Sequence, residues 1–118
     1  MNRRDETILS KMFRYCTETS EAHRYFHDDK ALFLDESSGA IYRNAVAMPI
    51  LQIGELAKNL TDDVLQLDAS VPWKEIKGMR DYFAHEYHEM DADIIWNTIE
   101  EIPSFQKQCL RLLNQIRN

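Results

Sequence analysis

The sequence predicts an all-α bundle of four or five helices, and three observations support that fold class. Apolar residues recur at steps of three and four along most of the chain, which is the period of an amphipathic helix. Only three Gly and three Pro occur in 118 residues, whereas a many-stranded β fold needs turn formers at each short turn. No stretch of the sequence has the alternation typical of a strand. Since domains hold about 150 residues, we expect a single domain, residues 1–118.

Two long helices are predicted in the first half of the chain, over about residues 4–27 and 37–60. The second helix is expected to turn inward the apolar side chains Ile41, Ala45, Met48, Ile53, Leu56, Ala57 and Leu60. Pro49 should bend this helix, because proline removes one backbone hydrogen bond. Residues 27–34 form a short segment between polar runs, for which no helix is predicted.

The second half of the chain is predicted to hold a short capped turn and two more helices. Residues 61–63, Thr-Asp-Asp, can cap the turn, and residues 70–72, Ser-Val-Pro, are typical of a helix start. Asp91 or Asp93 is expected to cap the last helix. Pro103 predicts a kink or a break inside that helix.

Charge and cysteine content exclude some classes of protein. With 14 Lys+Arg against 20 Asp+Glu the formal net charge is −6, which excludes a generally basic, DNA-coating protein. Cys16 and Cys109 lack the close spacing of metal ligands and are expected to be inert, buried thiols. The first ten residues do not resemble a secretory leader, and no window approaches the ~18 to 20 apolar residues of a membrane span. We therefore expect a cytoplasmic protein without a membrane partner.

The segment from residue 79 to residue 87 concentrates residues that could act on a phosphate. Arg80 is always charged, and His85 titrates near neutral pH. On an ideal helix Arg80 and Tyr87 lie about 20° apart, whereas Arg80 and His85 are separated by about 140°. Spacing alone therefore leaves two interpretations open: a catalytic set, or a surface ion pair beside a histidine near a helix end.

Three cations of the same region, Lys74, Lys77 and Arg80, follow one another at steps of three and lie near one helix face. This stripe is either a candidate RNA-binding surface or a solvated face. Neither His23 with His27 nor His85 with His88 is joined by the carboxylates that a helical metal site needs. Isolated glycines form no phosphate-binding loop. We expect no metal and no cofactor.

Three runs of the sequence resemble the HepT-like branch of the HEPN domains. They are VPWKEIKGMRD at residues 71–81 with AHEY at 84–87, IGELAK at 53–58, and DIIWNTI at 93–99. The resemblance implies a helical bundle that forms a dimer, with the Arg-x4-His-x-Tyr motifs of two copies lining a shared cleft. It also implies a metal-independent endoribonuclease toxin whose antitoxin is a minimal nucleotidyltransferase (MNT).

The same resemblance assigns roles to individual residues. Arg80 and His85 match the catalytic positions, with Asp81 and Tyr87 in support. Tyr87 also matches the tyrosine that the antitoxin can modify with AMP. The family often has Asn directly after the arginine, where this chain has Asp81, so a negative charge stands beside the phosphate-binding group.

Two alternatives to a nuclease remain open from the sequence. The acidity and Asp81 favour a non-enzymatic subunit that scaffolds a nucleotidyltransferase or binds a nucleotide. A plain helical dimerisation domain is the second alternative. A homodimer is expected, and the sequence leaves a higher oligomer open.

Overall fold

The computed structural model describes residues 3–86 and 91–117, and every regular element in these residues is an α-helix. The helices are α1 (Arg3–Tyr25), α2 (Lys30–Leu34), α3 (Ala40–Ala57), α4 (Asp62–Leu65), α5 (Trp73–Glu86) and α6 (Ala92–Arg117). The four predicted long helices are thereby confirmed, as is the all-α bundle. The sequence did not predict α2, a single short turn that begins where Asp29 Oδ1 accepts a hydrogen bond from Leu32 N at 3.1 Å.

The long helices pack in the order α6, α1, α3, α5, so that α1 contacts both α6 and α3 while α5 lies against α3. The core between them is apolar and includes Leu9, Met12, Cys16, Tyr42, Val46, Ile53, Phe83, Ile99, Phe105 and Leu112. Burial of such side chains contributes about 25 cal/mol per Å² of apolar surface. The α3–α5 contact is the one that positions the candidate site.

The predicted inward face of α3 is wrong in its first half. Ile41 and Met48 have 74% and 59% of their surface exposed, while Tyr42 and Val46 are fully buried. In the second half Ile53 and Ala57 are buried, as expected. The helix is apolar on nearly all sides in its first half, so the hydrophobic period does not select one face there. Contacts with α1 and α5 make the choice.

The predictions for prolines and helix caps are confirmed at Asp91 but not at Thr61 or for a break at Pro103. Both α3 and α6 continue through their internal prolines, Pro49 and Pro103, so the predicted break at Pro103 is wrong. Asp91 Oδ1 accepts from Asp93 N at 2.9 Å, which confirms Asp91 as the cap of α6. Thr61 does not cap α4 with its side chain. Its hydroxyl instead donates to the carboxylate of the buried Asp5 at 2.9 Å.

The two cysteines are free and fully buried, as predicted. They lie beside each other on α1 and α6, and a hydrogen bond with Cys16 together with burial raises the pKa of the Cys109 thiol. No helix in residues 3–86 and 91–117 combines the length and the apolar character that crossing a membrane requires.

Candidate functional site

Arg80 lies on α5 and is held by carboxylates from two helices. Its Nε donates to Glu55 Oε2 of α3 at 2.5 Å, and its Nη1 donates to Asp81 Oδ1 at 3.2 Å. These hydrogen bonds, with that of Glu55 the stronger influence, raise the pKa of the Arg80 guanidinium above its usual value. The side chain is about one third exposed, so the fixed guanidinium still meets solvent.

Asp81 joins Arg80 to a second cation. The Lys58 ammonium lies 2.8 Å from Asp81 Oδ1, the same oxygen that accepts from Arg80. Lys58 first, and Arg80 second, hold the pKa of the Asp81 carboxyl below its usual range. We call Glu55, Lys58, Arg80 and Asp81 the α3–α5 charge cluster. Its two positive and two negative charges cancel, so the negative charge of Asp81 beside Arg80 is offset by Lys58.

Gly54 allows α3 to approach α5 closely at this cluster. A Cβ atom at position 54 would lie 2.7 Å from Arg80 Cβ and 3.0 Å from the Ile76 carbonyl oxygen. Both atoms belong to the backbone or the stem of α5, and neither can move aside without shifting the helix. The absence of a side chain at Gly54 therefore sets the distance at which Glu55, the next residue, reaches Arg80.

The guanidinium keeps donors for a ligand. Of its five N–H groups, one on Nε and one on Nη1 bond to residues that the structure describes. The Nη2 edge has no hydrogen-bond partner among these described residues. A guanidinium that is held at Nε and Nη1, with an Nη2 that no described side chain engages, matches the forked geometry in which arginine contacts two oxygens of a phosphate.

The other predicted site residues are placed only in part. His85 belongs to α5, five residues after Arg80, but its side chain and the whole of Tyr87 lie outside the described residues. Their roles stay predictions. Lys74 and Lys77 lie on α5 at one-turn steps before Arg80, the first exposed and the second half-buried. Among the side chains that the structure describes, those of residues 3–83 and 91–117, no carboxylate forms an ion pair with either lysine.

Of the two histidines near the end of α1, one is half-buried and the other is exposed. His23 is half-buried between the rings of Tyr42 and Trp96, and its Nδ1 lies 2.5 Å from the Tyr42 hydroxyl. His27 lies beyond the end of α1 with a positive φ of 62°. Within the described part of the chain, no group of three or more His, Cys, Asp or Glu side chains could hold a metal ion.

Glu55 and Lys58 are the members of the cluster that sequence reasoning missed. Both fall in the run at residues 53–58, for which the resemblance assigned no role to either residue. Their spacing of three places both on one side of the end of α3, and their opposite charges in a mostly apolar stretch were the available signal. Pairing with α5 could not be predicted without knowing which face of α3 meets it.

Comparison with known proteins identifies the family. The family model described as Ribonuclease HepT-like matches residues 16–112, which is most of the chain. The chain belongs to this family. The HepT-like resemblance of the three sequence runs is thereby confirmed, together with the helical bundle that it implied. The matched residues include the whole α3–α5 charge cluster.

Several curated relatives are similar to about half of the chain. "Putative RNase TTE0752" of Caldanaerobacter subterraneus subsp. tengcongensis is 47% identical over 53% of this chain and 57% of its own length. "Probable ribonuclease HepT" of Thermococcus cleftensis is 38% identical over 52% and 57%. "Putative RNase MJ1216" of Methanocaldococcus jannaschii is 33% identical over 61% and 60%. The matched segment thus spans less than two thirds of these relatives, and no solved structure matches the chain.

Proposed function

We propose that this HepT-like chain is a metal-independent endoribonuclease, and that Arg80 and His85 carry out the cleavage. The observation that supports it best is the Arg80 guanidinium, whose Nε and Nη1 are held by Glu55 and Asp81 while its Nη2 bonds to none of the described side chains. A pre-positioned cation that still has donors is what stabilisation of a pentacoordinate phosphorus requires. The names of the curated relatives point to the same activity.

The chemistry needs no metal, because the RNA supplies its own nucleophile. The 2′-oxygen bonds to the adjacent phosphorus while the bond from phosphorus to the 5′-oxygen breaks. A neutral His85 imidazole takes the 2′-hydroxyl proton, and an imidazolium returns a proton to the leaving 5′-oxygen. Arg80 contacts the phosphate oxygens, on which negative charge accumulates. The products are a 2′,3′-cyclic phosphate and a 5′-hydroxyl, and a flexible single strand reaches the in-line geometry most easily.

A homodimer, or a higher oligomer, would bring two Arg-x4-His-x-Tyr motifs to one cleft. Such a cleft removes the difficulty that Arg80 and His85 lie about 140° apart on one ideal helix. Exposed apolar side chains on α3 support association of chains, since Ile41 and Met48 are two turns apart and both mostly exposed. Lys74 and Lys77 precede Arg80 on α5 and would contact neighbouring phosphates.

Control of the nuclease by an MNT-type nucleotidyltransferase is part of the proposal. In this account the chain is a toxin that acts on cytoplasmic RNA, and its antitoxin transfers AMP to Tyr87. The added phosphate would occupy the place of a substrate phosphate and block it by charge and bulk. Full neutralisation of a Tyr87→Phe variant by an active antitoxin that does not bind it stably would contradict the modification.

The cleavage experiment uses purified protein and a labelled single-stranded RNA. The wild-type chain is expected to cut in the presence of EDTA and to leave 2′,3′-cyclic phosphate ends. His85→Ala and Arg80→Ala are expected to lose at least 100-fold in rate, a loss of the order seen when general acid-base or charge-stabilising groups are removed. Lys107→Ala, which changes an exposed lysine of α6, is the control and should cut normally. Loss of cleavage in EDTA would refute the mechanism.

A second function, a non-enzymatic scaffold for a nucleotidyltransferase or a nucleotide, has one observation in its favour. Arg80 is ion-paired to Glu55 and shares Asp81 with Lys58, which is also how an arginine joins two helices for stability alone. The scaffold predicts that wild-type protein binds its partner yet leaves RNA intact and growth unaffected. Growth arrest by the wild-type chain, lost in His85→Ala, would exclude it.

A further inference from the structure

The first half of α1 exposes a stripe of positive charge on an acidic protein. Arg3, Arg4, Lys11 and Arg14 are all exposed, and so is Thr7 between them. On a helix with 100° per residue these five positions fall within an arc of about 100°, along about 16 Å of the axis. We call the four cations the α1 basic track.

The acidic residues of the same helix segment do not neutralise this track. Asp5 is fully buried and accepts hydrogen bonds from the backbone N–H and the hydroxyl of Thr61. Glu6 is paired with Arg117, whose Nε lies 2.8 Å from Glu6 Oε1. Within residues 3–86 and 91–117, ion pairs involve none of the four track cations. The positive field of the track therefore points into solvent.

The surface around the track is concave. Two shallow grooves, of about 490 and 470 Å³, meet at this part of α1. Both are lined by Arg3, Thr7 and Lys11; Arg4, Ile8 and Asn59 complete the first, and Arg14 completes the second together with Glu6 and Ser10. An open groove bordered by three cations fits an extended polyanion better than it fits a small ligand.

Contacts connect the track to Arg80. The Arg4 guanidinium donates from Nη2 to Asn59 Oδ1 at 3.4 Å, and the neighbouring residue in the chain is Lys58. Lys58 contacts Asp81, which accepts in turn from Arg80. A row of cations therefore runs from the exposed face of α1, over the end of α3, to the candidate catalytic arginine.

We propose that the α1 basic track binds the phosphate backbone of single-stranded RNA and leads it to Arg80. The inference rests on the proposed ribonuclease function, and it names a binding surface separate from Lys74 and Lys77. RNA is favoured over an acidic protein or a lipid surface because the row of cations ends at the group that would contact the cleaved phosphate. The net charge of −6 disfavours RNA on most of the remaining surface, so binding concentrates where cations cluster.

The test measures binding of a fluorescent single-stranded 2′-O-methyl RNA, which lacks the nucleophile and so stays intact with the wild-type chain. The track variant is Lys11→Gln/Arg14→Gln. The matched control is Arg24→Gln/Lys107→Gln, which removes the same two charges from exposed positions outside the track. Anisotropy titrations at several salt concentrations give the affinity and its salt dependence, and thermal melts monitored by circular dichroism show whether each variant remains folded.

The salt dependence of the RNA affinity decides whether the track binds phosphates. Each phosphate contact on a single strand contributes about 0.7 to the slope of log K against log salt. The track variant should therefore lose about 1.4 from the slope, and about 25-fold in affinity at 0.1 M salt if the lines meet at 1 M. The control variant should keep the wild-type slope. Equal slopes for the two variants, or no RNA binding by the wild-type chain, would overturn the proposal.

Two further arms separate the alternatives. Vesicles of phosphatidylserine that bind the track while RNA does not would overturn the proposal in favour of a lipid surface. Cleavage of unmodified RNA is measured in parallel, and the track variant should raise KM while kcat stays unchanged. A changed binding slope without any cleavage would leave the track standing and refute the nuclease. Normal cleavage by the track variant with an unchanged slope would refute the track and leave the nuclease standing.

Discussion

Replacing Gly54 by alanine should destabilise the protein by forcing α3 away from α5, and Gly78→Ala provides a matched control. A Cβ at position 54 would lie 2.7 Å from Arg80 Cβ and 3.0 Å from the Ile76 carbonyl oxygen, whereas a Cβ at position 78 meets no atom within 4 Å. Both glycines lie inside helices. Each substitution therefore gains about 1 kcal/mol of helix propensity.

The comparison isolates the contact energy. Overpacking a tight contact costs about 1–3 kcal/mol, so Gly54→Ala should change the free energy of unfolding by roughly 0 to −2 kcal/mol after the gain in propensity. Gly78→Ala should raise it by about 1 kcal/mol. The two variants should thus differ by about 1–3 kcal/mol, because the propensity gain is common to both.

Thermal melts and urea titrations measure this difference directly. For a domain of this size 1 kcal/mol corresponds to about 4 °C in Tm, so Gly54→Ala should melt roughly 4–12 °C below Gly78→Ala. Gly54→Ala should also slow RNA cleavage, since the helix shift moves Arg80 away from Glu55. Equal melting temperatures for the two variants would refute the reasoning about close approach.

Three further predictions concern charge and burial. Burial, aided by Asp28 and Asp29, raises the pKa of Tyr42 to about 12. The stability that this shift contributes is present below pH 10 and is lost as the pH rises toward 12. Urea titrations should therefore find that the free energy of unfolding falls by about 2 kcal/mol over this range, a fall that Tyr42→Phe should lack. Asp81→Asn should strengthen RNA binding at low salt, because it frees Lys58 and removes one of the two carboxylates paired with Arg80. The buried thiols should react with Ellman's reagent only at the rate of unfolding.

Periodicity was sufficient to predict the long helices but not the faces they bury. In the first half of α3 apolar residues surround the helix, and the choice between Ile41 and Tyr42 depends on packing against other helices. In α6 the helix continues through Pro103, although an interior proline removes a backbone hydrogen bond and favours a kink or a break. Neither the buried face of the first half of α3 nor the continuity of α6 could be read from local patterns.

The candidate site likewise combines a residue that a local pattern reveals with one that only tertiary contacts bring in. Arg80 could be singled out because it belongs to a local motif that resembles the family's, although spacing alone left its role open. Glu55 lies 25 residues away and takes part only because Gly54 allows the two helices to touch. When the partner of a candidate site arginine is distant in the chain, no period or spacing predicts the pair.

The distribution of charge fits the proposed action of an acidic protein on RNA. Within the α3–α5 charge cluster Glu55 and Asp81 offset two cations, which fixes Arg80 but contributes no net attraction for a polyanion. In this proposal attraction comes from cations that pair with no described carboxylate, and α1 carries such cations on the side that connects to Lys58 through Asn59. Positioning and attraction are therefore assigned to different residues. Substitutions in the track should alter binding and its salt dependence, whereas substitutions at Glu55 or Gly54 should alter the cleavage step.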